Sequence, residues 1–256
     1  MPIPGEPIWL ELQTTDMEKA KAFYGALFGW EFVDSGADYG HYHMVACAGK
    51  EIGGAMTIDP TTMARVPDNV AVYLAAADAD ATVAAASAHG GTVIVPPMQV
   101  GDQGKMAFLI DPTRAAVGVW QGQDLTGVKA LGTPGAPCWF ELMTNDYAKA
   151  LDFYRDVFGW DIHPMGPQGG EWQYSTLGQD AGALAGICDA SSFVPADGAS
   201  YWRVYYGAEN CDATVEKLVA LGGRLLDGPV DSPFGRIATV TDDQGAMFQV
   251  LQEPPR

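Results

Sequence analysis

The sequence predicts an α+β protein in which four βαβββ segments pair into two tandem open-barrel domains. A stretch of strand, capped helix and Gly-Trp exit occurs twice, with its capping residues Asp16 and Asp146 placed 130 positions apart. A second repeated stretch, Asp-Ala-Thr-Val in a helix followed by Gly-Gly, begins at positions 80 and 212. The length of 256 residues suits two domains of about 100–150 residues each.

The repeated strand predicts one apolar face and one mixed face, because alternate residues of a strand point to the same side. The apolar side carries Ile8, Leu10 and Leu12 in the first copy, and Cys138, Phe140 and Leu142 in the second. The opposite side carries Trp9, Glu11 and Gln13 in the first copy, and Trp139, Glu141 and Met143 in the second. We expect the apolar side to pack under a helix and the other side to line a concavity that holds water or ligand.

The helix after each strand has recognisable ends. Asp16 and Asp146 suit the N-cap position, because an Asp side chain accepts hydrogen bonds from the free N–H groups of the first turn. Apolar residues follow at the spacing of a half-buried helix, and these are Ala20, Phe23, Tyr24, Leu27 and Phe28, then Ala150, Phe153, Tyr154, Val157 and Phe158. Gly29 and Gly159 suit the position just after each helix, where a left-handed backbone favours glycine.

Further strands and one further helix complete each half. The first half predicts strands at 31–33, 41–48, 52–58, 70–76, 92–96, 105–110 and 116–121, and a helix at 80–89. The second half predicts strands at 172–177, 182–188, 200–206, 224–227, 236–241 and 246–252, and a helix at 212–221. We therefore place the first domain at 1–124 and the second at 137–256, with a Gly- and Pro-rich linker at 125–136.

Composition and charge exclude several classes of function. The net charge of −18 and the isoelectric point near 4.3 predict a surface that repels nucleic acid and anionic membranes. No apolar run reaches about 18 residues and no basic, apolar leader is visible, so we expect neither a membrane span nor a signal peptide. The four cysteines form no CxxC pair, which predicts free thiols, no structural zinc and a cytoplasmic location.

The repeated motifs resemble those of the vicinal oxygen chelate superfamily, which includes glyoxalase I, bleomycin-resistance proteins and extradiol dioxygenases. These motifs are Asp16, Ala22-Phe23-Tyr24 and Leu27-Phe28-Gly29-Trp30, their copies Asp146, Asp152-Phe153-Tyr154 and Val157-Phe158-Gly159-Trp160, and the closing turns Asp111-Pro112-Thr113 and Asp242-Asp243-Gln244-Gly245. The likeness covers nearly the full chain. It is strongest to tandem-domain actinobacterial proteins often labelled hydroxylases, whose Gly-Val-Trp-Gln ending recurs at Gly118 to Gln121. The resemblance implies one open, barrel-like cleft in each domain.

The resemblance also implies four metal-ligand positions in each domain, which His and Glu usually fill. They fall here on Trp9, a residue near Gly54 or Ala55, Ala71 and Gly118, and in the second domain on Trp139, a residue near Gly186 or Ile187, Arg203 and Gln249. Tryptophan only donates, arginine is a cation, and glycine and alanine have no side-chain ligand. We therefore expect no metal and no cofactor, which argues against glyoxalase and dioxygenase activity.

A relocated metal site is the alternative. His41 and His43 lie two apart in a predicted strand and so on one face, where they can chelate an ion with Glu11 as a third ligand. The corresponding residues of the second half are Gln173 and Ser175. We expect two exposed or hydrogen-bonded histidines rather than a metal site.

Glu11 and Glu141 are the predicted catalytic pair if the protein is an enzyme. A carboxyl group buried beside a tryptophan can act as a general acid or base unless a cation pairs with it. Arg203 is the expected partner of Glu141, whereas the first domain has Ala71 at that position. A structural role, contact with a ligand and proton transfer all stay open for these glutamates.

Together the patterns predict a cytoplasmic, metal-independent protein that binds a small aromatic or apolar organic molecule, for sequestration or antibiotic-related metabolism. Flat aromatic walls suit a planar ligand, and the predicted ligand-binding residues are Trp9, Tyr73, Trp120, Trp139, Arg203, Tyr205 and Gln249. One alternative is an enzyme of the same superfamily, of hydroxylase, lyase or isomerase type, with Glu11 or Glu141 as acid or base. A second is a structural or interaction protein whose clefts are filled. We expect no nucleic-acid or membrane partner, and either a monomer with internal pseudo-dimer symmetry or a homodimer.

Overall fold

A computed structural model describes residues 3–59, 61, 63, 66–123, 125–166, 173–179 and 182–254 of the chain. Within these ranges it contains four α-helices, one short 3-10 helix and sixteen β-strands. The first half contains β1 (Pro7–Thr14), α1 (Met17–Phe28), β2 (Trp30–Asp34), the 3-10 helix (Ala37–Tyr39), β3 (His43–Cys47), β4 (Lys50–Thr57), β5 (Asn69–Ala75), α2 (Ala79–Ala88), β6 (Thr92–Val100), β7 (Gly104–Ile110) and β8 (Ala116–Gly122). The second half contains β9 (Pro137–Thr144), α3 (Tyr147–Phe158), β10 (Ile162–Met165), β11 (Tyr174–Leu177), β12 (Ala185–Asp189), β13 (Tyr201–Gly207), α4 (Cys211–Ala220), β14 (Arg224–Ser232), β15 (Gly235–Thr241) and β16 (Met247–Gln252).

The strands form two eight-stranded sheets, one from each half of the sequence. The first sheet has the order β2-β3-β4-β1-β5-β8-β7-β6, and the second has the order β10-β11-β12-β9-β13-β16-β15-β14. Neither order returns to its first strand, so both sheets are open as far as the described strands show. The α+β class, with four βαβββ segments in two tandem domains, is confirmed. The domain limits of 1–124 and 137–256 stay a prediction.

Two compact units cut across the two halves of the sequence. Unit 1 comprises Met1–Trp9, Ala71–Gly127 and Phe140–Arg203, and unit 2 comprises Leu10–Val70, Val128–Trp139 and Val204–Arg256. Unit 1 therefore contains α2 and α3, whereas unit 2 contains α1 and α4. Each unit takes one helix from each half of the sequence.

In unit 1, a buried tyrosine of α3 joins the two halves of the sequence. The Tyr154 hydroxyl donates to Oδ2 of Asp111 at 3.0 Å and accepts from the indole N–H of Trp202 at 3.0 Å. Asp111 also folds its own turn, because its Oδ1 accepts from the backbone N–H groups of Thr113 and Ala115 at 2.7 and 3.0 Å. Burial raises the pKa of the Asp111 carboxyl, and it raises the pKa of the Tyr154 phenol well above its usual range.

Unit 2 repeats this arrangement with a tyrosine of α1. The Tyr24 hydroxyl donates to Oδ2 of Asp242 at 3.0 Å, and its ring stacks on Trp30 with the ring centroids 4.6 Å apart. The Trp30 indole N–H donates to the carbonyl of Gly135 at 2.7 Å. Oδ1 of Asp242 accepts from three backbone N–H groups of the turn that follows it, at 2.7–2.9 Å. The closing turns of the sequence motif are therefore held in place by the tyrosines of the helix motif.

The predicted ends of α1 and α3 are confirmed. Asp16 accepts from the backbone N–H of Lys19 at 3.1 Å, and Asp146 accepts from that of Lys149 at 3.2 Å. Gly29 and Gly159 follow the two helices with φ values of 73° and 70°, in the left-handed region that glycine enters without steric cost. None of the described helices is both long enough and apolar enough to cross a membrane.

Prolines conceal part of the strand structure from a sequence reading. β10 was not predicted, because Pro164 lowers the strand propensity of a four-residue segment; β10 lies at the edge of its sheet, where proline is tolerated. β6 runs beyond the predicted end at Pro96 to Val100, with two shifts of register against β7. β14 also extends beyond its prediction, to Ser232. The strand predicted from Trp172 starts outside the described residues, and β11 begins at Tyr174.

Candidate functional site

The predicted site residues lie on the sheet face that points away from the helices. In unit 1, Trp202 of β13 points toward α3, since its indole donates to Tyr154. Its neighbour Arg203 therefore points to the opposite face. Glu141 of β9 is in register with Gly186 of β12, which places both residues on one face. We call the face of each sheet that points away from the helices its open face.

Glu141 and Arg203 form a buried ion pair on the open face of unit 1. The Arg203 Nε donates to Oε2 of Glu141 at 2.6 Å, and the Nη2 atom contacts the same oxygen. The two side chains are 7% and 19% exposed for Glu141 and Arg203. A buried carboxylate needs such a partner, because transfer from water is costly for a lone charge. The expected pairing is confirmed, whereas a catalytic role for Glu141 stays a prediction.

Glu11, in unit 2, lies in a different environment. Its Oε1 accepts from the side-chain Nε2 of Gln13 at 2.9 Å. The side-chain Oε1 of Gln13 in turn accepts from the Nδ2 of Asn69 at 3.1 Å. Asn69 is itself anchored to the carbonyl of Pro67 at 2.7 Å. The two glutamates thus occupy matching sequence positions, with a guanidinium beside one and an amide chain beside the other. A catalytic role for Glu11 also stays a prediction.

Two tyrosines lie directly over glycines that stand at or beside family ligand positions. A Cβ added to Gly54 in unit 2 would overlap the Tyr42 hydroxyl, and one added to Gly186 in unit 1 would overlap the Tyr174 hydroxyl. Glycine is required at these positions because any side chain would occupy the same space as the tyrosine. Each tyrosine fills space that a ligating side chain would need.

The open face of β5, β7 and β8 in unit 1 is filled with aromatic rings. A Cβ on Gly118 would overlap the Tyr73 ring, and this ring meets Phe108 edge-on with centroids 5.7 Å apart. The Trp120 indole N–H donates to the carbonyl of Leu125 at 3.0 Å, and Trp120 is only 6% exposed. Tyr73 and Trp120 are therefore packed into the fold in this unit.

The position of the second half that corresponds to Gly118 is polar and lies in unit 2. Gln249 of β16, in register with Tyr205 of β13, is only 1% exposed. Its Oε1 accepts from the Thr239 hydroxyl at 3.0 Å, while its Nε2 is buried without a hydrogen-bond partner. The second half thus places an amide donor where the first half places Gly118.

The seven predicted ligand-binding residues differ in burial. Five of them are buried, and these are Trp9, Tyr73, Trp120, Tyr205 and Gln249. Trp139 and Arg203 are half-buried. Ligand contact stays a prediction for all seven.

The residues at the family ligand positions do not fit a divalent metal. Gly118 stands at one of these positions, Gly54 and Gly186 lie at or beside two others, and a tyrosine ring covers each glycine. The remaining side chains are tryptophan, alanine, arginine and glutamine, of which only glutamine offers an oxygen. Across the described residues, no three His, Cys, Asp or Glu side chains come together in a group that could hold a metal.

The hypothesis of a metal site at His41, His43 and Glu11 is wrong. His41 lies in a turn with a φ of 58°, not in β3, and its Nδ1 is 2.9 Å from the carboxylate of Asp34. Its side chain is 66% exposed, whereas His43 is buried.

Strand register also separates His43 from Glu11. His43 is in register with Ala55 of β4, whereas Glu11 is in register with the preceding residue, Gly54. Successive residues of a strand point to opposite sides. His43 and Glu11 therefore lie on opposite faces of the sheet and cannot share an ion.

Unit 2 also contains a cavity of about 350 Å³. Its lining includes Gly132, Pro134, Gly207, Leu251 and Glu253. None of the predicted site residues lines it, but Gly207 and Leu251 continue the same strands that carry Tyr205 and Gln249.

Sequence reasoning missed Tyr42, Tyr174 and the threonines of β15. A signal for the tyrosines was present, since Tyr42 and Tyr174 are 132 positions apart, as are Gly54 and Gly186. A tyrosine and a glycine repeated at one common offset indicate a packed pair. No comparable signal marks Thr239, whose role depends on the strand opposite it.

The sequence profile of the Glyoxalase/Bleomycin resistance protein/Dioxygenase superfamily matches residues 7–119 and 138–250. The chain belongs to this superfamily. The two matched stretches correspond to the two eight-stranded sheets, so each half is one glyoxalase-type domain by sequence. The predicted resemblance is confirmed.

Among curated proteins, CFP32 of Mycobacterium tuberculosis (strain CDC 1551 / Oshkosh), named as a candidate glyoxylase, is 35% identical to this superfamily member, over 98% of this chain and 96% of the relative. The anthracycline biosynthesis protein DauV of Streptomyces sp. (strain C5) is 32% identical, over 97% of this chain and 94% of the relative. Among solved structures, the Mn(II)-bound glyoxalase of Novosphingobium aromaticivorans matches with a TM-score of 0.67 and 17% identity, covering 99% of this chain and 83% of that chain. The 2,3-dioxygenase LapB of Pseudomonas sp. KL28 matches with a TM-score of 0.66 and 12% identity, covering 99% and 96%. At these identities the two structures support the fold alone.

Proposed function

We propose that this tandem superfamily member binds a small aromatic or apolar organic molecule without a metal, in sequestration or antibiotic-related metabolism. One observation carries the proposal: no residue assigned to a family ligand position is a His, Asp or Glu, and the rings of Tyr42, Tyr73 and Tyr174 lie over the three glycines at or beside these positions. A face of aromatic rings with a few placed polar groups suits stacking of a flat ligand.

The names of two relatives support an aromatic ligand. Two curated relatives, DauV and the DnrV protein of Streptomyces peucetius, are named as anthracycline biosynthesis proteins, and each is 32% identical to this chain. Anthracyclines are flat aromatic compounds, which matches the chemistry of the open face. The structural neighbour with bound Mn(II) differs from this chain, since the donor set described above does not fit such an ion.

The enzyme alternative has weaker support from the geometry. Proton transfer by Glu141 would compete with the hydrogen bond that its Oε2 accepts from Arg203. We therefore favour binding over acid–base chemistry as the function of this face.

We further propose that the protein acts in the cytoplasm, as a monomer or a homodimer. All four cysteines are free thiols in the structure, which suits a reducing compartment. The charge of −18 disfavours nucleic acid and anionic membranes as partners.

Metal analysis combined with ligand titration tests the proposed function. The protein is purified without added metal, analysed by elemental mass spectrometry, and titrated with an anthracycline aglycone by tryptophan-fluorescence quenching. The matched samples are EDTA-treated protein and the same protein supplied with Mn(II). We expect substoichiometric metal and equal affinity in both samples. One metal per chain, together with loss of binding after EDTA, would overturn the proposal.

A further inference from the structure

The last three strands of each half have open faces of different chemistry. In unit 1, the open face of β7 and β8 carries Met106, Phe108, Ile110, Gly118 and Trp120. In unit 2, the matching positions of β15 and β16 carry Ile237, Thr239, Thr241, Gln249 and Leu251. The two sheets have the same internal register, with Phe108 opposite Gly118 in one and Thr239 opposite Gln249 in the other. At three corresponding positions a polar residue of unit 2 therefore replaces an apolar residue or a glycine of unit 1.

Two polar atoms on this face of unit 2 are buried and have no hydrogen-bond partner. They are Nε2 of Gln249 and Oγ1 of Thr241, and the two residues are 1% and 5% exposed. Thr239 is in register with Gln249, and Thr241 is in register with Met247, so Gln249 and Thr241 are diagonal neighbours on adjacent strands. Two unpaired polar groups thus converge on one small area.

The Gln249 amide has a defined orientation. The Thr239 hydroxyl donates to its Oε1 at 3.0 Å, which leaves the two N–H groups of Nε2 directed elsewhere. Burying an amide donor without an acceptor is unfavourable, because its hydrogen bonds to water are lost. A ligand oxygen placed against this donor would restore the missing hydrogen bond.

A cavity begins two residues beyond this donor, along the same two strands. Tyr205 and Gln249 form one register pair of β13 and β16, and Gly207 and Leu251 form the pair two residues further along, on the same face. Gly207 and Leu251 line the cavity of about 350 Å³, a volume within the range of small-molecule sites. The carboxylates of Glu209 and Glu253 also belong to the lining, and their charge disfavours an anionic ligand.

We propose that the open face of β13, β15 and β16 in unit 2 is a subsite for flat, uncharged aromatic compounds that bear a carbonyl oxygen. Gln249 donates to this oxygen, Thr241 supplies a second polar contact, and Tyr205 and Leu251 provide apolar surface. This inference rests on the proposed function and adds to it the chemical class of the ligand and the half of the chain that selects it.

Three compounds of nearly equal shape test the subsite. Fluorene has no polar group, 9-fluorenone adds one acceptor oxygen, and carbazole adds one N–H donor. Equilibrium dialysis measures the affinity of each for the full-length protein and for Gln249→Met and Thr241→Val. Gln99→Met is the control, because Gln99 is an exposed glutamine in unit 1.

We expect the unchanged protein and the control to bind 9-fluorenone about tenfold more tightly than fluorene, the usual value of one ligand hydrogen bond in a buried site. Gln249→Met should abolish this preference while it leaves the affinity for fluorene in place. Thr241→Val should weaken the preference. The urea midpoint of Gln249→Met should be unchanged or higher, since an apolar side chain replaces an unpaired amide.

Four outcomes would overturn the inference. Equal affinity for fluorene and 9-fluorenone, or a preference that survives in Gln249→Met, removes the role of Gln249 and leaves the proposed function intact. A preference for carbazole means that the face presents an acceptor instead of a donor. Failure of all three compounds to bind up to their solubility limits contradicts both this inference and the proposed function.

Discussion

The two halves of the chain keep the same packing on the helix side of their sheets and differ on the open side. On the helix side, Tyr24 and Tyr154 make the same hydrogen bond, to Asp242 and Asp111 respectively. On the open side, residues at matching positions differ in charge and size. The helix side thus repeats one hydrogen-bonded arrangement in both halves, whereas the open side packs different side chains at matching positions.

Two matched positions show this difference clearly. Ala71 in the first half corresponds to Arg203 in the second, where the guanidinium pairs with Glu141. Gly118 corresponds to Gln249, so that one strand admits a tyrosine ring and the other presents an amide. One fold repeated in one chain therefore carries two different surfaces, and we expect the second half to be the more selective.

Breaking the ion pair of the second half should have the largest effect on stability. Arg203→Met leaves Glu141 buried without its guanidinium, and we expect the free energy of unfolding to fall by about 3–5 kcal/mol. Urea denaturation measures this change. Arg155→Met is the control, because that guanidinium is 52% exposed and its ion pairs are worth less than about 1 kcal/mol. An equally small loss for Arg203→Met would show that the buried pair contributes no more than a surface pair.

Removing a tyrosine hydroxyl on the helix side should have the second-largest effect on the free energy of unfolding. The loss should be larger for Tyr154 than for Tyr24. Tyr154→Phe removes the hydrogen bonds to Asp111 and Trp202, so we expect a loss of about 3 kcal/mol. Tyr24→Phe removes its bond to Asp242, and we expect about 2 kcal/mol. Urea denaturation of both variants at one pH checks the order. The reverse order would mean that the Trp202 indole finds another acceptor.

Crowding at Gly118 should have an effect comparable with that of Tyr24→Phe. A methyl group at this position meets the Tyr73 ring, so Gly118→Ala should cost about 1–3 kcal/mol. The same substitution in a Tyr73→Ala background should cost close to nothing, since the ring atoms that a Cβ at Gly118 would meet, Cγ included, are gone. A double-mutant cycle by urea denaturation measures this coupling. Equal costs in both backgrounds would place the strain in the backbone instead of the ring.

Patterns with a short range were predicted well. The caps at Asp16 and Asp146 and the glycines after α1 and α3 depend on hydrogen bonds and dihedral angles within a few residues, and each is confirmed. The pairing of Arg203 with Glu141 was also expected, because alternation fixes the face of each strand.

Patterns that depend on neighbouring chain segments were predicted less well. His41 seemed to share a strand with His43, but a turn with positive φ ends the regular alternation before it. Pro164 concealed β10, since only the position of a strand in its sheet decides whether a proline is tolerated. The tyrosines over Gly54 and Gly186 needed the strand register before their partners were visible.

The sequence by itself determined the duplication, the βαβββ order, the helix ends and the loss of the metal-binding side chains, because these follow from residue identity and local spacing. The tertiary structure alone decided that unit 1 and unit 2 each combine segments from both halves. It also decided which polar atoms are left without a partner, as at Gln249 and Thr241. Burial and hydrogen bonding are properties of what surrounds a side chain, and residues far apart in the sequence supply those surroundings.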